Sequence, residues 1–513
     1  MSPALRFLVP ILALFSAALP ARAASDAALE RGTAIIDPLS LRELDRDRFG
    51  IGRMLRPERS ADTPLSSAQL FALPSMVPLR KAIDAEFERY VARHKKALPN
   101  ETIGVGEGFN FQLFDRAELD TDDTRFVLAG IVSRMDRAYV APDDCGEIRL
   151  IYRLTRAKMS EPAGTLSRLP MTLNLVLKAR AGLPTDRKGK LIACSEIARR
   201  WLALGERPQS DTSKLPAEDD PLDLINHQNI DRIETNLQIV HAPKTPTRDF
   251  STDYLLKVFR YNAAAQEFQE AAMENQIDRE RLLVDKVLGR QFKDWVLDPR
   301  NLAEFDNGTV LVPEKFLGRS AIATTPVGFD NSSLQPAFGL MNGEGPHPLF
   351  GESDVVMALK NAASSGIRLQ NIRSVGGFER RLNDVTCSGC HQTRGIGGFH
   401  FPGVDWMRPN PSNSTVVPAS PHFFGDQPRR RDVLMALRDG KPPDYSRGFS
   451  SRPQLRGSTE LAGTEYSDGW GAHCYSPGKP ADASFRAWTC AEGLACQVAG
   501  KVSRMGMCFI KSR

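Results

Sequence analysis

Between Glu147 and Leu154 the chain reads EIRLIYRL, with Ile148, Leu150, Tyr152 and Leu154 alternating against Arg149 and Arg153. MTLNLVL at 171–177 repeats the pattern, with Met171, Leu173, Leu175 and Leu177 standing against Thr172 and Asn174. A period of two with one apolar set predicts half-buried antiparallel strands. RFVLAGIVSRMD (125–136), TNLQIVHA (235–242) and YLLKVFRY (254–261) read as three more strands.

Elsewhere the period lies between three and four. MVPLRKAIDAEFERYVARHKK (76–96) is the clearest amphipathic helix of a polar, helical stretch from 24 to about 100. From Gln276 to Leu297, Val284, Leu288, Phe292 and Trp295–Val296 recur at helical spacing, predicting one core-facing helix that Asp298-Pro299 ends. CSEIARRWLAL (194–204), ESDVVMALKNAASSGIRL (352–369) and RRRDVLMALRDG (429–440) read as further helices, the last stopped by Gly440. The stretch 301–326 is turn-rich and short-stranded, and RPNPSNSTVVPASP (408–421) is a long loop.

The elements predict an α+β, multi-domain protein. The expected layout is a signal peptide (1–23), an antiparallel-sheet α+β domain (24–275) and a helical and turn-rich connection (276–349). A helical and loop-rich region (350–445), a linker (446–467) and a small Cys-rich module (468–513) follow. A chain of 513 residues exceeds one core. Its 67 Lys and Arg against 62 Asp and Glu leave +5, too small and too scattered a charge to argue for nucleic acid. Arg429–Arg430–Arg431 and Arg380–Arg381 read as solvated helix faces.

The first 23 residues, MSPALRFLVPILALFSAALPARA, join a basic Arg6, an apolar run and a small-x-small site at Ala21–Ala23. That is the layout of a secretory signal peptide cut before Ala24. The run from Phe7 to Leu19 is broken by Pro10 and falls short of the roughly 20 residues needed to span a bilayer. Export to the periplasm is the expectation, with no transmembrane segment in the mature chain; an extracellular destination is the other possibility. In an oxidising compartment cysteines pair. Cys145 and Cys194 make one expected disulfide, and Cys474, Cys490, Cys496 and Cys508 make two more of open connectivity. This tail, too short to hold itself by burial, reads as a stapled module.

The remaining two cysteines carry the chemistry. NDVTCSGCHQTRGIGGFHFPG contains Cys387, Cys390 and His391 as C-x-x-C-H. Haem attachment needs two thiols to add across the porphyrin vinyl groups and an imidazole close by to reach the iron, and this spacing supplies all three. The element resembles the attachment site of c-type cytochromes. The resemblance covers the motif and the helices flanking it, roughly 350–445, and not the rest of the chain. It implies one covalent haem c, thioethers on Cys387 and Cys390, and His391 as proximal ligand. His422, Met407 and His400 are the candidates for the sixth position, His422 favoured for its longer loop, with an open five-coordinate iron as the other arrangement. Met435, inside DVLMAL, is most simply a core residue.

Three competitors use the same residues. A zinc site would take Cys387, Cys390, His391 and His400. A redox dithiol would need a strand before the motif, and VGGFERRLNDVT is not one. A plain Cys387–Cys390 disulfide is the third. GVGEGF (104–109) lacks the spacing of a phosphate loop and DTDDT (120–124) that of a calcium loop. The expected function is electron transfer through the haem, with an unknown protein as redox partner. A peroxidase-like or ligand-binding haem enzyme, and a non-haem envelope protein with a structural metal or disulfide, are the alternatives.

Overall fold

The computed structural model describes residues 33–35, 38–56, 64–157, 166–180, 192–207, 219–243, 245, 251–325, 349–389, 421–447, 473–475, 489–490, 493–498 and 505–510. The expected signal peptide and nearly all of the expected linker lie outside them. A short strand, β1 (Ala34–Ile35), precedes helices α1 (Pro38–Arg46), α2 (Ile51–Leu55), α3 (Ser67–Phe71) and α4 (Val77–Ala97). Ser66 and Gln69 close a reciprocal capping box on α3. α4 opens on a proline and ends on His94, Lys95 and Lys96, a charge order that suits the helix dipole. Strands β2 (Ile103–Val105) and β3 (Phe111–Leu113) follow.

The centre of the molecule is an antiparallel meander of β4 (Thr124–Arg134), β5 (Glu147–Ala157), β6 (Leu166–Lys178), β7 (Ile230–Ala242) and β8 (Ser251–Asn262), each paired with the next. Helix α5 (Cys194–Glu206) lies between β6 and β7 in the chain. β9 (Glu267–Ala271) and β10 (Ser320–Thr325) share the outer edge of β8, and β3 pairs with β7 beyond the end of β6. With β1 on β4 and β2 on β3, the sheet has ten strands. Ile148, Leu150, Tyr152 and Leu154 pack with Met171, Leu173, Leu175 and Leu177 into one core with α4 and α5, and Leu434 and Met435 join it. Cys145 and Cys194 form the expected disulfide, closing 49 residues, which the chain-entropy account values at about 4 kcal/mol. Beside it Gly146 has φ +86°, and a Cβ there would come within 2.7 Å of the Arg134 carbonyl oxygen.

The second lobe holds α6 (Arg279–Val284), α7 (Lys286–Leu297), α8 (Pro299–Asn307), α9 (Glu352–Ser364) and α10 (Val375–Asp384) around Phe292, Phe305, Phe316, Phe350 and Phe378. α11 (Pro421–Arg438) comes last of the helices. A separate three-stranded antiparallel sheet of β11 (His473–Tyr475), β12 (Leu494–Val498) and β13 (Met505–Ile510) ends the chain, with β13 central. In it Cys496 stands opposite Cys508; Cys490 and Cys496 each belong to a disulfide. No helix among the described residues is long and apolar enough to cross a membrane.

Three expectations need correction. The single helix over 276–297 is two, because the Asp285 carboxylate accepts from the amides of Val287 and Leu288 and starts α7 afresh. Val284, expected in the core, is 82% exposed at that break. The polar sides of β5 and β6 do not face water: Arg149, Thr172 and Asn174 are buried. Arg381, Arg429 and Arg430 are buried as well, against the reading of solvated helix faces. Counter-charges and carbonyls explain this. Arg429 pairs with Asp136, and Arg381 donates to the carbonyls of Asp306 and Arg447.

Candidate functional site: a charged cleft beside Cys387

The second face of the sheet is written in rows. Arg149 on β5 aligns with Val176 on β6, Arg232 on β7 and Arg260 on β8; the next row is Ile151, Asn174, Glu234 and Val258. Period-two geometry puts these rows on the face away from the apolar core. Burying so many charges is tolerable only when they are paired. Arg149 reaches Glu147 and Glu234 at 3.0 Å each, and Arg232 reaches the same two carboxylates at 2.8 Å. Arg137 adds contacts to Glu147 at 3.2 Å and to Glu274. Burial opposes ionisation of Glu147, yet Arg137, Arg232 and Arg149 outweigh it and hold the carboxyl well below its usual range. Burial likewise opposes the charge of Arg232, and Glu147, Glu234 and Asp231 raise it above the ordinary guanidinium value. In Arg149 burial wins and the pKa falls.

A cleft of about 600 Å³ opens over these rows, and Val312, Leu317, Val385 and Cys387 also line it. Cys387 is 5% exposed, and its Sγ donates to the Glu274 carbonyl at 3.4 Å. It packs with Leu256, Val258, Met273, Ala321 and Ala323, the apolar end of the same sheet face. The local sequence dictates its seat. α10 ends at Asp384, and a new helical turn begins at Cys387. The Thr386 hydroxyl accepts from the Gly389 amide at 2.9 Å, and Ser388 donates to Gln276 Oε1 through both its amide and its hydroxyl. The element before the motif is the helix α10 and not the strand a thioredoxin-like dithiol requires.

No family model, curated protein or solved structure matches this chain. Function must be argued from the site.

Of the residues singled out in the sequence, Cys387 is placed as described. Cys390, His391, His400 and Met407 lie outside the described residues, and His422 is described only as part of the backbone of α11. Met435 packs against the first core, in keeping with a core residue. Among the described residues no group of three or more His, Cys, Asp and Glu is set to hold a metal. What the sequence reading missed is the ion-paired floor. Its signal was the i, i+2 charge pairs Glu147/Arg149 and Arg232/Glu234 on strands that pair through β6.

A second buried node ties the walls together. Asp136, just past β4, pairs with Arg134 at 2.8 Å, Arg429 at 2.6 Å and Arg447 at 2.5 Å. Burial opposes its charge, but these guanidiniums and Arg430 carry it well below the usual carboxylate range. Arg447 in turn donates its amide to the Asn307 carbonyl, at the end of α8.

Proposed function

We propose that the chain is an exported c-type haem protein that passes electrons through one covalently held haem. The C-x-x-C-H run at 387–391 carries this reading. Its support is the position of Cys387 on the first turn of a helix, at the wall of a cleft with an apolar end. The donor set suits the group: two thiols for the vinyl carbons and a neighbouring imidazole for the iron. Cys387 and Cys390 would hold the macrocycle and His391 the iron, with His422, Met407 or His400 at the sixth position. When bound, the haem supplies an iron that cycles between ferric and ferrous states. The chain's part is positional. Thr386 and Gln276 hold the turn that presents Cys387, and the apolar cluster around it excludes water from one side. The reading requires the turn to continue through Cys390, which would set both sulfurs on one side of it. On this reading residues 1–23 are a signal peptide and the protein works in the periplasm, where covalent haem is attached.

The cleft beside Cys387 favours a second reading, in which the sixth position stays open and a small ligand such as peroxide enters. The test begins with the full-length protein exported from a host that matures cytochromes. Intact mass and the pyridine absorption spectrum should show one retained haem, lost in Cys387→Ser and Cys390→Ser. No added mass, while a control cytochrome gains its haem, overturns both haem readings and leaves a structural metal or disulfide. Carbon monoxide binding to the reduced native protein marks an open iron; its absence marks two protein ligands, and His422→Ala should then restore it.

A further inference from the structure

We infer that a second pocket, where the end of α8, the turn before α10 and the segment after α11 meet, is a binding site for an uncharged sugar. This does not depend on the haem reading. The pocket measures about 330 Å³, at the small end of ligand sites, which suits a single sugar ring. Asn307, Gln370 and Asn371 bring three side-chain amides to its lining, and Asp444 brings a carboxylate. An amide both donates and accepts, which is what a row of neighbouring hydroxyls requires, and a carboxylate accepts from two hydroxyls at once. Tyr445 adds an aromatic ring, a surface on which the C–H face of a sugar can pack. Among the described residues no Lys or Arg lines the pocket, so a phosphate or carboxylate ligand would meet a like charge and no counter-ion.

The second observation is the frame that holds these groups. Asp306 is 2% exposed, and its carboxylate accepts from the backbone amides of Gln370, Asn371 and Ile372 at 2.8, 2.7 and 2.5 Å. Asn371 returns a bond from Nδ2 to the Asp306 carbonyl at 2.9 Å. Arg381, wholly buried, donates to the carbonyls of Asp306 at 2.8 Å and Arg447 at 3.0 Å. The Arg447 amide donates to the Asn307 carbonyl at 2.7 Å. Three segments distant in the chain are thus clamped by buried polar bonds, and a network of this kind rigidifies what it holds. What it holds here is the spacing of the pocket's amides. Asn307 and Gln370 are exposed, and neither side chain makes a hydrogen bond among the described residues, so both remain to meet a ligand. A site set before its ligand arrives loses less freedom on binding.

The experiment uses the full-length protein and follows binding by saturation-transfer NMR and titration calorimetry. The probes are glucose, galactose, mannose and N-acetylglucosamine, with adenosine as a ligand that also pairs with amides and stacks on a ring. At least one sugar should bind in the millimolar range, and adenosine should not. Asn307→Ala and Gln370→Ala should each weaken that sugar roughly three- to tenfold, the worth of one or two hydrogen bonds. Both changes leave the backbone bonds of the frame in place. Gln228→Ala, exposed and outside the lining, should leave the affinity unchanged. Silence from all four sugars, binding of adenosine in their place, or an affinity that neither pocket variant moves would overturn the assignment. None of these results bears on the haem, whose mass is read separately in the same preparations.

Discussion

At the scale of single residues, the largest departures from expectation are charges inside the protein. Asp45 on α1, partly buried, is one that no ion pair neutralises among the described residues. Burial pushes its pKa up to about 6 from 3.8, against a hydrogen bond from the Leu128 amide at 3.0 Å and the pull of Arg125 and Arg46. The folded state therefore holds the proton more tightly than the unfolded chain does. Its stabilising contribution is complete below pH 3.8 and is lost as pH rises through about 6. A shift of this size corresponds to about 3 kcal/mol. Asp45→Asn keeps an acceptor for Leu128 without the charge. Urea denaturation should find it more stable than wild type at pH 7.5, by up to about 3 kcal/mol, with the gap closing at pH 4. An unchanged gap between the two pH values would contradict a buried, protonated Asp45. EIRLIYRL does not by itself reveal that Arg149 is 2% exposed: it holds one counter-charge, Glu147, but the other, Glu234, lies 85 positions away in the chain.

At the scale of elements, local rules served well where they concern one face. The apolar sets of β5 and β6 are buried as their period of two demands. They fail where a cap outranks a period. The helical spacing from 276 to 297 is continuous, yet Asp285 has an N-cap's backbone and a carboxylate that takes two amides, so α6 ends and α7 begins there. Val284 is left in solvent by that break. Asp285→Ala is expected to lower stability by about 1 kcal/mol, the usual worth of such a cap. A thermal denaturation midpoint that does not move would mean α7 is held by its packing against Phe316 and Phe350 alone.

At the scale of the whole molecule, a few long-range charges join the parts that line the cleft. Asp136 links the end of β4 to α11 and to Arg447, and Arg447 reaches on to α8. One carboxylate there faces three guanidiniums at contact distance, so removing it leaves buried positive charge with a counter-ion missing. Asp136→Asn should therefore destabilise the protein by about 3–5 kcal/mol. Chemical denaturation measures it, and a loss under 1 kcal/mol would show that the node is solvated in solution. Such a node is invisible to pattern reading. RRR at 429–431 has the composition of a solvated helix face, and only its contact with Asp136, 293 residues earlier, makes it a buried tie.

What the sequence determined by itself was mainly local: the period of the strands, most of the helices around the core and the C-x-x-C-H spacing of Cys387, Cys390 and His391, with the Cys145–Cys194 pair added by cysteine count. These follow from covalent spacing, which neighbouring residues carry with them. Tertiary structure alone decided that the sheet's polar face is buried, that charges 85 residues apart neutralise one another on it, and that Cys387 opens onto their cleft. The reason is physical: the energy of a charge depends on what surrounds it, and those surroundings exist only once distant strands have paired.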